Sequence, residues 1–383
     1  MNVVSTRGSQ PVALSAAIAK GQAPDGGLFM PLEIVRQTGP WGTSLSERAT
    51  HAMAPFFAGD ALSPQLPEIV RESLSFDAPT KWLDEHTGLL ELFWGPTAAF
   101  KDFGARFLAS CLSRLFAPGE QHTVLVATSG DTGAAVAAAF HRRPGFRVVV
   151  LYPDGRVSAR QAHQLGAFGD NVATYRVEGT FDDCQRLVKA AFADRALTEA
   201  HGLVSANSIS LGRLLPQMSY YVHASLTARE QGRPAPNFVI PTGNLGNEPR
   251  ASVATLANAM DVGAPSNLER LRHLFAKPAD VVRAQSVDDD TIRKTIRSTF
   301  ERYGEVVCPH TACGMTVRER LLESDDGDWI VAATAHPAKF ADVVEPLIGR
   351  EIEVPNALRE LLDRPAHASP LEPTLQALAA ALR

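Results

Sequence analysis

The chain has 383 residues, of which 45% are hydrophobic and 21% charged, and its formal net charge is −5. This composition is typical of a water-soluble protein with two or three domains, and the slight acidity argues against a nucleic-acid-binding protein, which needs a concentrated basic surface. No apolar run reaches the roughly 18–20 residues of a membrane-spanning helix, and the first residues lack the apolar core of a signal peptide, so we expect a cytoplasmic location.

The cysteines are few and irregularly spaced, which is typical of reduced, buried thiols and not of a disulfide framework. They are Cys111, Cys184, Cys308 and Cys313. The last two flank His310 and suggest a zinc site at first sight. A closed zinc site needs about four ligands, however, and no second Cys/His pair completes the set, so we expect no metal.

The hydrophobic pattern changes near residue 90. Residues 1 to about 90 are mostly helical in pattern, with turns at 24–27 and 63–67. Beyond them, apolar runs predict buried parallel strands at 124–126, 148–151, 173–177, 238–240 and 329–331. Helical periods predict helices over 102–116, 132–141, 158–168, 180–194 and about 208–231. Alternating strands and helices predict an α/β fold, in which ligands gather at the carboxyl ends of the strands.

The segment 95–104 places a lysine between aromatic residues at the start of a predicted helix. Lys101 is flanked by Phe100 and Phe103. Burial and the positive end of the helix dipole both lower the pKa of an amine, and a neutral amine can attack an aldehyde. Lys101 is therefore a candidate nucleophile, and the alternative is an ordinary solvated lysine in a first helical turn.

The segment 127–133 follows a predicted strand and opens an alanine-rich helix. Hydroxyl groups and free backbone N–H groups at a helix N-terminus bind anions such as carboxylate or phosphate. The alternative is simple helix capping, which explains one polar residue better than four. The four are Thr128, Ser129, Asp131 and Thr132.

The segment 241–247 also follows a predicted strand. Its glycines, Gly243 and Gly246, allow the backbone to approach a phosphate closely. It is not a P-loop, because no Lys-Ser/Thr pair follows, and its spacing differs from the dinucleotide-binding fingerprint. A plain turn is the alternative.

A fourth polar segment, 205–208, runs into the helix that carries Arg213. Ser208 and Arg213 are five residues apart and do not share one ideal helical face, yet both can reach an anion beside the first turn. Asn207 and Ser208 are also common helix-capping residues, which is the alternative interpretation.

Together and in this order, the segments resemble the threonine synthase family of fold-type-II pyridoxal-phosphate enzymes. The resemblance covers most of the chain, through segments 5–8, 23–29, 95–104, 127–133, 179–184, 205–208, 309–312 and 333–340. It implies an α/β fold of the tryptophan synthase β type. Two open parallel-sheet lobes would hold the cofactor between them over residues 91–383, after a mostly helical N-terminal region over residues 1–90.

The resemblance also implies a role for each candidate residue. Lys101 would bind pyridoxal phosphate as a Schiff base, and the neutral hydroxyl of Thr311 would contact the pyridine nitrogen. The cofactor phosphate would be held by Gly243, Asn244, Leu245, Gly246 and Asn247. The substrate carboxylate would be bound near the phenolic oxygen of the cofactor by Thr128, Ser129, Asp131 and Thr132. The substrate phosphate would be received by Asn207, Ser208 and Arg213.

The implied reaction converts O-phospho-L-homoserine and water into L-threonine and phosphate, with Lys101 moving protons at Cα, Cβ and the cofactor. Two alternatives stay open: another lyase or dehydratase of the same fold type, acting on a hydroxy- or phospho-amino acid, and a homologue that binds the cofactor without turnover. Arg213 favours the phosphate-bearing substrate, because a dehydratase has no distal phosphate to bind. We expect small-molecule partners, no nucleic acid or membrane, and a monomer or homodimer.

One connection departs from the family. After Asn247 the chain continues through 248–250 into a segment, 251–265, that resembles a later part of the family's sequence. Members of the family usually have a helix and a strand between these two parts. A deletion here should damage the sheet, so the pattern favours a missing stretch of sequence over a true deletion. A similarly abrupt join lies near 277–287.

Overall fold

The computed structural model describes residues 1–243, 253–262, 265–322 and 327–383. The strands of these residues are β1 (Asn2–Ser5), β2 (Val12–Ala13), β3 (Phe29–Pro31), β4 (Thr80–Trp82), β5 (Thr87–Glu91), β6 (His122–Ala127), β7 (Phe146–Pro153), β8 (Val172–Val177), β9 (Leu203–Ser205), β10 (Asn237–Val239), β11 (Trp329–Ala333) and β12 (Ser369–Leu371). The α-helices are α1 (Leu14–Lys20), α2 (Leu45–Phe57), α3 (Leu66–Ser73), α4 (Lys101–Leu115), α5 (Asp131–Phe140), α6 (Ala159–Gly166), α7 (Phe181–Ala193), α8 (Arg195–His201), α9 (Leu211–Leu214), α10 (Gln217–Glu230), α11 (Leu268–Leu274), α12 (Asp289–Tyr303), α13 (Pro309–Leu322), α14 (Ala341–Ile348), α15 (Asn356–Leu362) and α16 (Leu375–Leu382).

A parallel sheet of five strands, in the order β12-β8-β7-β6-β9, forms the first lobe. Along its central strand the side chains alternate between two cores, because successive residues of a strand point to opposite faces. Val148 and Val150 pack in the core that contains α4 and α5, whereas Val149 and Leu151 pack with α7 and α16. Burial on both faces explains why these strands are continuous apolar runs in the sequence. We call this part the five-stranded lobe.

The second lobe is built on a sheet in the order β10-β11-β5-β4. Strand β11 runs parallel to β10 and β5, while the edge strand β4 is antiparallel to β5. The prediction of two parallel-sheet lobes is confirmed, with β4 as an antiparallel addition. The sequence prediction missed β4 and β5, which are short and lie at the end of the region expected to be mostly helical. The expected domain boundary after residue 90 falls inside β5 and stays a prediction. We call this part the four-stranded lobe.

The N-terminal region combines helices with a small sheet. Strands β2, β1 and β3 form an antiparallel sheet, so the expectation of a mostly helical pattern is incomplete. These strands are too short to show a period-2 pattern in the sequence. Helices α1, α2 and α3 pack on the five-stranded lobe through α4 and α10.

The long helix predicted over about 208–231 is wrong, because the structure has two helices there, α9 and α10. Pro216 stands between them, and proline has no N–H group to continue the helical hydrogen bonds. The other helices predicted beyond residue 100 are confirmed to within two residues, as are all five predicted strands. The break leaves Arg213 on a short helix that packs against α4.

All four cysteines are buried and free, as predicted. Among the described residues, no group of three or more His, Cys, Asp or Glu side chains is arranged to hold a metal ion. The same residues include no helix that is both long and apolar enough to cross a membrane. The expected interruption after Asn247 lies outside the described residues, and the one near 277–287 is a continuous loop with a 3₁₀ turn at Pro278–Asp280.

Candidate active site

A cavity of about 210 Å³ lies between the two lobes, at the carboxyl ends of strands from both sheets. This is the position at which ligands bind in open α/β sheets. Most of the residues predicted from the sequence line it, namely Lys101, Thr128, Ser129, Thr132, Asn207, Ser208, Arg213 and Gly243. Asp131 and Thr311 are not on the cavity wall, and Asn244, Leu245, Gly246 and Asn247 lie outside the described residues. A second, more open depression beside His163 and Arg176 contains none of these residues.

Lys101 is the first residue of α4, and the chain before it is held against the end of β11. The N–H group of Phe100 donates to the carbonyl oxygen of Thr334 at 2.8 Å. Ala98 is buried and has a φ of 54°, a left-handed conformation that alanine rarely adopts. Strain of this kind persists only where the surroundings hold it in place, and here it sets the direction in which the chain enters α4.

The amine of Lys101 faces the cavity and makes no hydrogen bond to the described residues. Its Nζ lies 4.0 Å from Oδ2 of Asp131 and 4.7 Å from the centre of the Phe100 ring. Burial lowers the pKa of Lys101 to about 8; Arg213 and Lys339 lower it further, while Asp131 opposes them. The sequence-based expectation of a lowered pKa therefore agrees with the geometry, and burial is its main cause.

Asp131 opens α5 and is held between two lysines. The Nζ of Lys339 lies 2.8 Å from Oδ1 of Asp131, and the amide of Gln161 donates to the same oxygen at 2.9 Å. Burial alone would raise the pKa of Asp131, but the Lys339 and Lys101 amines together hold it well below its usual range. Asp131 is thus an anion at neutral pH. The sequence prediction missed Lys339, although it noted the segment 333–340 as similar to the family.

The hydroxyl group of Thr128 stabilises the turn before α5. The Oγ1 of Thr128 donates to the carbonyl oxygen of Gly130 at 3.1 Å and accepts from the N–H groups of Gly130 and Gly133 at 3.0 and 2.8 Å. Gly130 has a φ of 130°, and a Cβ there would lie 2.6 Å from the amide of Gln161. Ser129 and Thr132 are half-buried on the cavity wall, where the first amides of α5 lack helical partners. Thr128 therefore shapes this turn, and its neighbours face the cavity.

Arg213 is buried in the wall of the same cavity. Its Nη1 donates to the carbonyl oxygen of Ala206 at 2.9 Å, and its Nε is buried without an acceptor among the described residues. Burial lowers the pKa of Arg213 to about 10, which leaves the guanidinium charged at neutral pH. Asn207 and Ser208 line the cavity beside it, with the Ser208 hydroxyl donating to Oδ1 of Asn207 at 3.1 Å. A buried donor without an acceptor is costly, so this corner is suited to an anionic ligand.

Gly243 closes the cavity on the side of the four-stranded lobe. A Cβ at this position would lie 2.6 Å from the carbonyl oxygen of Met260, so only glycine fits against that backbone. Gly243 itself is part of the cavity wall.

His310 and Thr311 lie in the first turn of α13. The Nε2 of His310 accepts from the N–H of Ala259 at 3.1 Å, and burial lowers the pKa of His310 to about 4, so the ring is neutral. His310 is on the cavity wall. The hydroxyl of Thr311 is buried behind it, 3.2 Å from Sγ of Cys308.

The charges around the cavity are of one sign. Lys101, Lys189 and Arg213 line it, whereas no aspartate or glutamate is present among the described lining residues. The sequence prediction missed Lys189 together with Gln217, Ser266 and Asn267, since no motif marks them. A cavity of this charge is expected to bind a ligand that carries more than one anionic group.

Models of known protein families match three parts of the chain. Residues 90–248 match the family of pyridoxal-phosphate dependent enzymes. Residues 2–74 match the threonine synthase N terminus, and residues 311–382 match the threonine synthase C-terminal region.

Whole proteins and solved structures give the same result. A threonine synthase of Buchnera aphidicola subsp. Acyrthosiphon pisum is 35% identical over 416 residues, covering 97% of this chain and 96% of the relative. The crystal structure of threonine synthase from Escherichia coli superimposes with a TM-score of 0.92 at 33% identity, covering 100% of this chain and 99% of that one. A structure of threonine synthase from Brucella melitensis with bound pyridoxal phosphate has a TM-score of 0.90 at 32% identity, covering 100% and 98%.

Proposed function

The chain belongs to the threonine synthase family of fold-type-II pyridoxal-phosphate-dependent enzymes, and on that basis we propose that it converts O-phospho-L-homoserine and water into L-threonine and phosphate. The observation that carries the choice of substrate is the buried Nε of Arg213, which has no acceptor among the residues that the structure describes and lies in the same cavity as Lys101. A substrate without a distal phosphate would offer no acceptor to this Nε.

The residues of the cavity fit pyridoxal phosphate. The amine of Lys101 is available to an aldehyde, since it has no hydrogen bond to the described residues and a lowered pKa. Gly243 lines the same cavity, whose charged lining residues are cations, so a phosphate group beside it would be favoured. We therefore propose that Lys101 holds the cofactor covalently, that the turn from Gly243 to Asn247 holds its phosphate, and that Thr311 contacts its ring nitrogen.

Two separate sites would bind the two ends of the substrate. The N-terminus of α5 would receive the carboxylate through the first-turn amides and the side chains of Ser129 and Thr132, with Thr128 shaping the turn. Arg213 would receive the phosphate with Asn207 and Ser208, because a guanidinium group makes strong paired hydrogen bonds to phosphate oxygens. Binding both ends would orient the carbon chain toward Lys101.

Lys101 would also move the protons of the reaction. Pyridoxal phosphate, when bound, supplies an electron sink that stabilises negative charge at the substrate carbons. An amine with a pKa of about 8 is suited to take a proton from Cα, to pass it on to the cofactor, and then to take a proton from Cβ near neutral pH. The bond from Cγ to the phosphate oxygen would break, phosphate would leave, and Cγ would gain a proton to become the methyl group. The oxygen of water would bond to Cβ with release of its proton, and Lys101 would return a proton to Cα.

Replacing Lys101 tests the assignment directly. We expect Lys101→Ala to lose the visible absorbance of the bound cofactor and the release of phosphate from O-phospho-L-homoserine. Lys81→Ala is a matched control, since Lys81 pairs with Glu305 away from the cavity, and it should behave as the unchanged protein. Turnover retained by Lys101→Ala would overturn the proposal.

The products separate this function from its alternatives. Threonine and phosphate should form in equal amounts. Exclusive formation of 2-oxobutyrate would instead identify a lyase or dehydratase of the same fold type, and cofactor absorbance without phosphate release would identify a homologue without turnover.

We further propose that the protein works in the cytoplasm as a monomer or homodimer. The composition and the charge support a soluble enzyme with a small-molecule substrate. Light scattering during gel filtration measures the mass of the particle, and fractionation of cells measures its location.

A further inference from the structure

Lys339 is a buried cation that the proposed chemistry does not use. Its side chain is 1% exposed, and its Nζ lies 2.8 Å from Oδ1 of Asp131 and 2.8 Å from the carbonyl oxygen of Thr97. The other oxygen of the same carboxylate, Oδ2, is the one that faces Lys101 at 4.0 Å. One carboxylate is therefore shared by two lysines, of which one is the proposed cofactor-binding residue.

The two residues of the Asp131–Lys339 ion pair belong to different lobes. Lys339 lies in the 3₁₀ turn Pro337–Phe340 that follows β11, and its carbonyl oxygen accepts from the Ser158 hydroxyl at 3.0 Å. Asp131 begins α5 of the five-stranded lobe, where Gln161 donates to its Oδ1 at 2.9 Å. Both partners of the ion pair are thus fixed, and their distance to Lys101 is set by the fold.

The charged and titratable groups that face Lys101 determine how the Asp131–Lys339 ion pair affects the protonation of its amine. They belong to Asp131, Arg213, Lys339, His310 and Cys308. Of these described groups, only the ionised Asp131 favours a proton on the Lys101 amine, because burial keeps His310 neutral and raises the pKa of the Cys308 thiol. Without Lys339, the carboxylate would have Lys101 as its only lysine partner among the residues that the structure describes. A buried carboxylate and amine then retain their shared proton to higher pH, since releasing it leaves an uncompensated negative charge.

We propose that Lys339 is a positioning residue that neutralises Asp131, so that this carboxylate does not hold a proton on the Lys101 amine. The proposal rests on the assignment of Lys101 as the residue that binds the cofactor. A purely structural role, in which Lys339 only joins the two lobes, predicts lower stability and an unchanged protonation of Lys101. The two roles are therefore distinguishable.

The test measures the protonation of Lys101 in the cofactor-free chain. The rate at which acetic anhydride labels each lysine is followed against pH by mass spectrometry, with the exposed Lys81 as an internal reference. We expect the midpoint for Lys101 to rise by about one pH unit or more in Lys339→Met, the size of effect that a lost charge a few ångströms away produces. Binding of pyridoxal phosphate at pH 7, followed by its visible absorbance, should slow about tenfold for the same reason.

Two further variants keep the test decisive. Lys339→Met combined with Asp131→Asn should remove the rise in the midpoint, because the carboxylate that retained the proton is gone. Asp131→Asn alone should lower the midpoint, which covers the case in which Lys339→Met does not fold. An unchanged midpoint in Lys339→Met, an equal rise in the double variant, or a rise in Asp131→Asn would overturn the proposal. Because labelling needs no turnover, failure of the proposed reaction would appear separately, as absent phosphate release.

Discussion

Gly104 connects the helix of Lys101 to the helix of Arg213, and replacing it should disturb the substrate phosphate site. It lies in the first turns of α4, where a Cβ would be 2.7 Å from the backbone oxygen of Arg213 and 3.3 Å from its Cα. The obstacle is backbone and cannot rotate away as a side chain can. Gly104→Ala therefore forces α4 and α9 apart.

The required movement follows from the contact distance. Ordinary contacts begin at 3.4 Å, so the oxygen of Arg213 must move by about 0.7 Å, which is 3.4 less 2.7. Displacements near 1 Å at a binding residue can cost up to about 100-fold in rate, so we expect kcat/KM for O-phospho-L-homoserine to fall by about 10-fold or more. Overpacking lowers the free energy of unfolding by about 1–3 kcal/mol, offset by about 1 kcal/mol from the better helix propensity of alanine.

The assay separates a displaced Arg213 from a general loss of stability. In Gly104→Ala we expect a higher KM and weaker inhibition by inorganic phosphate, with the visible absorbance of the cofactor retained. Cys111→Ala is the control, because Cys111 is buried in the same helix, and its truncation should lower the free energy of unfolding by about 1–2 kcal/mol without changing KM. Equal kinetic effects in the two variants, or an unchanged kcat/KM in Gly104→Ala, would refute the reasoning.

Three other substitutions test the cofactor site and the stability of the fold. Gly243→Ala should weaken cofactor binding about 10-fold or more in a titration, because its Cβ would lie 2.6 Å from the oxygen of Met260; unchanged affinity would argue against this contact. Glu72→Gln should lower the free energy of unfolding by about 1 kcal/mol at pH 7, allowing for partial exposure. Burial raises the pKa of Glu72, but hydrogen bonds from two arginines and a serine outweigh it and lower this pKa to about 2. The carboxylate therefore stabilises the fold above pH 4.5, and this stabilisation is lost as the pH falls toward 2. Urea titrations at both ends of this range should show that the difference in stability between Glu72→Gln and the unchanged protein disappears at low pH. Arg48→Ala should lower the free energy of unfolding by about 3 kcal/mol in the same titrations, because the fully buried guanidinium joins α2 to α10 through Glu230 and Thr227, and a difference below 1 kcal/mol would contradict that role.

Local patterns in the sequence were sufficient for the central strands and the loops that follow them. The central strands of the five-stranded lobe are covered on both faces, so their apolar runs, such as 148–151 inside β7, mark them clearly. The short edge strands β9 and β12 were not predicted. The loops at 128–132 and 241–247 follow predicted strands, whereas the loop at 205–208 was predicted only to run into a helix. Since ligands gather at the carboxyl ends of parallel strands, the first two positions were indicated as candidate binding loops.

Elements whose form depends on distant partners were not predictable in this way. Strands β4 and β5 are short, and they are strands because β5 pairs with β11, more than two hundred residues later. The break between α9 and α10 depends on Pro216, which an otherwise helical pattern concealed. Tertiary packing against α4 then sets the position of Arg213.

Within the site, Lys101 too combines features that local sequence predicts with features that depend on distant partners. Neighbouring residues were enough to predict that a lysine between phenylalanines begins a helix, and the order of the surrounding motifs indicated the family of the chain. Only the tertiary structure brings Lys339, 238 positions further along the chain, onto the carboxylate that faces Lys101. The physical reason is that hydrophobic patterns and helix starts are encoded by neighbouring residues, whereas the proton balance of a buried amine depends on charges that the fold brings within a few ångströms.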